Sequence, residues 1–137
     1  MNAAEKELRG LVGTLIKGLQ TENMQIVEQV YDHSPSLLVF LEGPQMKVKG
    51  WSELKKAISE FLRTHTRIES RLNNDSRFIV TENLGVFYGT FRLRAVDRET
   101  REPIKWTARN TFVFRKIHGK WKVVHEHDSF PAAPPVD

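Results

Sequence analysis

The first part of the chain carries apolar residues at helical spacing. They recur every three or four residues, which places them on one face of a helix. The members of this face are Leu8, Leu11, Val12, Leu15, Ile16 and Leu19. Thr21 predicts the N-cap of a second, shorter helix, and Pro35 ends that region. A third helix is predicted from about Trp51 to Arg63.

After Thr64 the sequence becomes rich in residues that favour β-strands. A short strand is predicted at Leu37 to Leu41, and Met46 to Val48 returns beside it after the Gly43-Pro44 turn. Later strands are predicted at 68–72, 78–81, 84–96, 104–117 and 120–130. Helices that precede a run of strands indicate an α+β protein. We expect three N-terminal helices on the concave side of one strongly bent antiparallel sheet.

Both faces of the predicted strand 84–96 are rich in apolar groups. Phe87, Phe91 and Leu93 alternate with Val86, Tyr88 and Thr90. A sheet with one wet face shows a cleaner alternation of apolar and polar residues. We therefore expect a second subunit to cover the convex face, and isologous dimers are the commonest oligomers. The prediction is a homodimer through the convex sheet face.

Length and composition limit the classes of protein to consider. The 137 residues suit one domain, which we expect over residues 1–131, followed by a flexible Pro-rich tail over 132–137. The absence of cysteine excludes disulfides and thiolate metal sites. The N-terminus lacks the basic and apolar regions of a secretory signal, and no apolar run approaches ~18 residues. We expect a cytoplasmic protein without a membrane partner.

The net charge is +4, which raises the question of nucleic-acid binding. Binding proteins of that kind carry clustered basic stripes. The basic groups here are short, such as Lys55-Lys56 and Arg115-Lys116, and acidic residues interrupt most of them. We expect no nucleic-acid partner.

The C-terminal residues resemble a known superfamily. Arg109/Thr111, then Gly119/Trp121, then His125/His127/Ser129 followed by Pro131 are similar to the closing hairpin of nuclear-transport-factor-2-like proteins. The likeness is greatest to the SnoaL-like members and to the association domain of calcium/calmodulin-dependent kinase II, and it covers nearly the whole chain. It implies a cystatin-like, cone-shaped α+β barrel with a conical pocket between helices and sheet. It indicates no single activity, because this fold serves many functions.

Several polar residues are candidates for that pocket. Arg92 lies in an otherwise apolar strand, and the kinase association domain presents an arginine from the equivalent strand. An inward Arg92 would bind a carboxylate through its guanidinium fork. The ligand-binding candidates are Tyr88, Arg92, Asn110, His125 and His127. Asn110 and Arg109 lie on opposite faces of one strand, so only one of them faces the pocket.

The run His125 to Asp128 supplies the acid–base candidates. His127 or Asp128 is the candidate catalytic group, since histidine titrates near neutral pH. His125 and His127 share a face, whereas Glu126 and Asp128 point the other way if the strand is regular. No third ligand joins the two histidines, so we expect neither a metal nor a cofactor.

The resemblance also prompts a comparison with ketosteroid isomerases, which use a carboxylate base and a tyrosine donor. The base position falls at Leu41, or at Glu42 with a shift of one residue, and Tyr31 is an available donor. Because Leu41 is not a base, this specific chemistry is disfavoured. Three functions remain open: a small-molecule-binding domain that forms a homodimer, an isomerase, dehydratase or cyclase, and an oligomerisation module.

Overall fold

A computed structural model describes residues 2–42 and 45–131 of the chain. The helices are α1 (Ala3–Gln20), α2 (Met24–Val27) and α3 (Gly50–Thr64). The strands are β1 (Leu38–Phe40), β2 (Val48–Lys49), β3 (His65–Leu72), β4 (Arg77–Val80), β5 (Leu84–Asp97), β6 (Pro103–Ile117) and β7 (Lys120–Ser129). The predicted α+β class is confirmed. The tail predicted at 132–137 lies outside the described residues.

The apolar face predicted for α1 is the face that packs on the sheet. Leu8, Val12 and Leu15 are buried in one core with Phe87 and Phe112. The helix begins at Asn2, whose Oδ1 accepts a hydrogen bond from the backbone N–H of Glu5 at 2.8 Å. Burial against the sheet, more than helix propensity, holds such a helix in place.

The second helix differs from its prediction at both ends. Its N-cap is Asn23, whose side chain accepts a hydrogen bond from Gln25 N, and α2 is a single turn from Met24 to Val27. Thr21 instead caps the end of α1, with its hydroxyl donating to Lys17 O at 2.7 Å. Two capping residues, Thr21 and Asn23, compete here, and the one nearer the apolar Met24 begins the helix.

The seven strands form one mixed sheet in the order β2-β1-β7-β6-β5-β3, with β4 also on β5. All pairs but one are antiparallel as predicted. The exception is β1, which runs parallel to β7 with Leu38 opposite His125 and Phe40 opposite His127. The intervening helix α3 and the remaining strands supply the long connection that a parallel pair requires.

Two register shifts interrupt the sheet. One lies in β3 between Thr66 and Glu69, where Arg67 has a φ of 51°. The other lies between β6 and β7, where Val113 pairs with His125 but Phe114 pairs with Val123. Val124 is therefore an extra residue in β7. A bulge of this kind exchanges the faces of the residues beyond it.

Candidate functional site

A cavity of about 460 Å³ lies between the helices and the concave face of the sheet. Its walls are mainly apolar and come from α1, α3 and the strands. The apolar lining residues are Val12, Leu15, Ile16, Leu19, Leu41, Leu54, Ala57, Ile58, Phe61, Leu72, Phe91, Leu93, Trp106, Phe112 and Phe130. The size and lining are those of a small-molecule pocket.

The bulge at Val124 decides which residues of β7 face this cavity. Trp121 and Val123 point inward and are buried. Without the extra residue, His125 and His127 would follow them inward. With it, Glu126 and Asp128 are the inward residues, only 6% and 9% exposed. The chain thus directs two carboxyl groups, rather than two imidazoles, into the cavity.

Glu126 and Asp128 belong to a buried hydrogen-bonded group. The Tyr31 hydroxyl donates to Glu126 Oε1 at 2.6 Å. Asn110, directly opposite Asp128 in the sheet, donates from its amide to Asp128 Oδ1. Tyr31, Asn110, Glu126 and Asp128 all line the cavity, and we call these four side chains the acid cluster.

Burial changes the proton affinity of the acid cluster. It raises the pKa of Asp128 well above the ordinary value, and the adjacent Glu126 charge raises it further. Burial also raises the pKa of Glu126, although hydrogen bonds from Asp128 and Tyr31 oppose this rise. The pKa of Tyr31 is raised by burial and then by Glu126. Asp128 therefore keeps its proton to higher pH than an exposed aspartic acid does.

Glu42 adds a third carboxyl group to the cavity wall. Burial raises its pKa, and the nearby Asp128 charge contributes to the rise. Among the described residues, its Oε1 is a buried oxygen with no hydrogen-bond partner. A buried oxygen in this state can accept a hydrogen bond from a bound molecule.

Of the residues expected in the pocket, the structure brings Asn110 and Asp128 together there. Tyr88 is 42% exposed on the outer face. Arg92 is also on the outer face, in a depression with Glu69, Arg71 and Arg94. The carboxylate-binding role expected for an inward Arg92 therefore has no support from the cavity geometry.

The two histidines lie on the outer face of β7. His125 donates from Nδ1 to the carbonyl oxygen of Leu38 at 2.6 Å, and His127 is exposed. The ring of Phe40 contacts both imidazoles edge-on, with centroid distances of 5.2 and 5.3 Å. His125 thus joins β1 to β7.

Glu126 is not among the residues expected in the pocket, because His125 and His127, on the opposite face of β7, were expected there. The sequence does contain a signal of the bulge, because Val123 and Val124 are consecutive apolar residues in a strand that otherwise alternates. Tyr31 and Glu42 were considered only by analogy with isomerases. Their cavity positions follow from long-range contacts with β7, since Tyr31 forms a bridge with Val123 and Glu42 follows β1, which pairs with β7.

Two further findings concern metals and membranes. The described part of the chain contains no group of three or more His, Cys, Asp or Glu side chains arranged to hold a metal ion. In residues 2–42 and 45–131, no helix is both long enough and apolar enough to cross a membrane.

Solved structures with this fold span most of the chain. A nuclear transport factor 2-like superfamily protein from Salmonella enterica has 22% identity and a TM-score of 0.85, with 96% of this chain and 93% of that chain covered. The association domain of calcium/calmodulin-dependent protein kinase II from C. elegans has 18% identity and a TM-score of 0.70, with coverage of 93% and 95%. These likenesses establish the shared fold.

A third structure comes from Streptomyces avermitilis and is described as a candidate dehydratase of the nuclear transport factor 2-like family. It has 13% identity and a TM-score of 0.82, with 93% of this chain and 97% of that chain covered. No curated protein matches the sequence. The family profile of the SnoaL-like domain matches residues 9–133, and the chain therefore belongs to the SnoaL-like domain family.

Proposed function

We propose that the protein binds a small, mainly apolar molecule that carries at least one oxygen able to form hydrogen bonds. The observation that supports this is the acid cluster at the polar part of an otherwise apolar cavity of about 460 Å³. Apolar walls supply affinity through burial, and a few polar groups fix orientation.

The charges of the lining restrict the ligand further. The described lining residues include three carboxyl groups, from Glu42, Glu126 and Asp128, and no Lys, Arg or His. A buried carboxylate ligand would be repelled by these groups and would find no cation. The raised pKa of Asp128 makes a proton available to a ligand oxygen. We therefore propose a neutral ligand in place of the carboxylate.

A neutral fluorescent probe tests this proposal. N-phenyl-1-naphthylamine should gain fluorescence when it enters the cavity. Ala57→Phe places a ring in the cavity space and should weaken probe binding by about tenfold or more, because the apolar volume is filled. Ser59→Phe is the matched control, since Ser59 is exposed on the same helix. Equal binding by the two variants would contradict the proposal.

A second candidate function is proton-transfer catalysis of the isomerase, dehydratase or cyclase kind. It is favoured by the buried carboxyl pair of Glu126 and Asp128 in the cavity wall, because burial raises both pKa values in the direction that a carboxyl group acting as a general acid requires. Asp128 would act as the acid and Glu42 as the base. The exposed His127 is not part of this arrangement.

Exchange of α-protons in 2-decalone, followed by NMR in D₂O, tests this candidate. The protein should accelerate exchange, and Asp128→Asn should reduce the acceleration about 100-fold, as loss of a general acid–base group does. Glu82→Gln, an exposed carboxyl at the β4–β5 turn, serves as the control. If the ketone binds but exchanges at the buffer rate, the chain binds without catalysing.

We also propose a homodimer through the outer face of the sheet. Support comes from an apolar group at the β4 end of that face, where Ile79, Val86 and Val113 pair across three strands and Tyr88 follows Val86 on the same face of β5. Ile79 and Tyr88 are 58% and 42% exposed. The fold shared with an association domain is consistent with assembly.

A further inference from the structure

The outer face of the sheet carries a compact group of charges that the cavity does not use. Glu69 and Arg71 on β3 and Arg92 and Arg94 on β5 line a depression of about 160 Å³. We call these four residues the arginine block. It lies behind the cavity wall, since Phe91 and Leu93, the neighbours of Arg92 in β5, line the cavity from the other face.

The strand register places two of these arginines directly against each other. Arg71 is directly opposite Arg92, and Glu69 is opposite Arg94. Like charges directly opposite in a sheet destabilise the strand pair. In the described part of the chain, the ion pairs within 4.0 Å involve Lys55, Arg63 and Arg98 and none of the three arginines. The positive charge of these three arginines is therefore left to be balanced by solvent ions or by a ligand.

Charge and size indicate the ligand. Three guanidinium groups and one carboxylate leave a formal charge of +2 in the depression. A phosphate monoester carries a charge of about −1.5 to −2 at pH 7 and offers three acceptor oxygens. Guanidinium forks bind such oxygens in pairs. A carboxylate would balance only half of the excess charge.

We propose that the arginine block binds the phosphate group of a small, soluble phosphate monoester. A polynucleotide is a poorer fit, because its backbone follows an extended basic stripe, whereas this block is compact and includes Glu69. The proposal is independent of the cavity ligand, because the two sites lie on opposite faces of β5.

NMR of the arginine Nε–Hε groups tests the proposal directly. Titration with inorganic phosphate, and then with phenyl phosphate, should shift the signals of Arg71, Arg92 and Arg94. Arg92→Gln should weaken phosphate binding about tenfold or more, as loss of a charge-assisted contact does. Arg115→Gln should leave binding unchanged, since Arg115 lies opposite Leu84, about 26 Å along β5 from Arg92.

Thermal unfolding gives a second measurement that does not depend on assigned signals. Phosphate should raise the Tm of the wild type by mass action and should not raise that of Arg92→Gln. Equal shifts with sodium chloride at matched ionic strength would overturn the proposal, as would equally tight binding of acetate. A changed dimerisation constant in Arg92→Gln, without any phosphate effect on the wild type, would instead assign the block to a second copy of the chain.

Discussion

At the scale of single residues, the acid cluster keeps two carboxyl groups buried beside each other. Such a pair is costly if both groups ionise, because neither water nor a cation compensates the charges. Here burial raises the pKa of Asp128, which favours its neutral form, and Tyr31 and Asn110 donate hydrogen bonds to the pair. A neutral carboxyl group in an apolar cavity can donate a hydrogen bond or a proton to a bound molecule.

The raised pKa of Asp128 predicts a specific dependence of stability on pH. Because the folded state holds this proton more tightly than the unfolded state does, the free energy of unfolding falls as pH rises above about 4. Each such group contributes a slope of up to about 1.4 kcal/mol per pH unit. Asp128→Asn mimics the protonated acid and should remove this contribution.

Urea unfolding of wild type and Asp128→Asn at pH 5 and pH 8 measures the effect. The variant should gain stability relative to wild type at the higher pH. Asp75→Asn is the control, because hydrogen bonds from Thr90 lower the pKa of the exposed Asp75. The contribution of Asp75 is lost only as pH falls below about 4, so this variant should run parallel to wild type between pH 5 and pH 8. Parallel profiles for wild type and Asp128→Asn would contradict the assignment.

At the scale of elements, close contact of α1 with α2 depends on a glycine. A Cβ added at Gly18 would lie 2.7 Å from Val27 Cγ2 and 3.0 Å from Val27 N. The same atom at Gly13 would meet nothing within 4 Å. Both glycines belong to α1, so substitutions at the two positions distinguish the effect of helix propensity on stability from the effect of packing.

Alanine substitutions at these glycines should therefore change stability in opposite directions. Gly13→Ala should raise the free energy of unfolding by about 0.5–1 kcal/mol, because alanine loses less backbone entropy in a helix. Gly18→Ala should lower it by about 1–3 kcal/mol, because α2 must move away. Urea titration measures both values. An equal gain in the free energy of unfolding in both variants would contradict this, because it would show that α2 moves away without loss of stability.

At the scale of the whole molecule, we predict that the chain sediments as a dimer at micromolar concentration. Tyr88→Glu should give a monomer, because it places a charge within the exposed apolar group of the outer face. Ser59→Glu, on the exposed side of α3, should remain dimeric. A monomeric wild type by sedimentation equilibrium would overturn this proposal, and a larger ring would favour the oligomerisation module.

The elements and their order were predictable because they depend on local patterns. The helical spacing in α1 and α3 and the strand composition of β5 to β7 agree with the structure within a few residues. Such patterns report which face of an element is apolar, and burial of that face is what stabilises the fold. The Thr21 N-cap failed because capping residues compete within a short segment.

The amino-acid sequence by itself thus determined the α+β class, the concave apolar wall and the candidate segment from His125 to Asp128. Only the tertiary structure decided which side chains of that segment enter the cavity. The pairing of β6 with β7 places one extra residue at Val124. As a result, Glu126 and Asp128 face inward in place of the two histidines. The consecutive apolar residues Val123 and Val124 mark where the alternation breaks, but the register between β6 and β7 decides which residue is extra and hence which face turns inward.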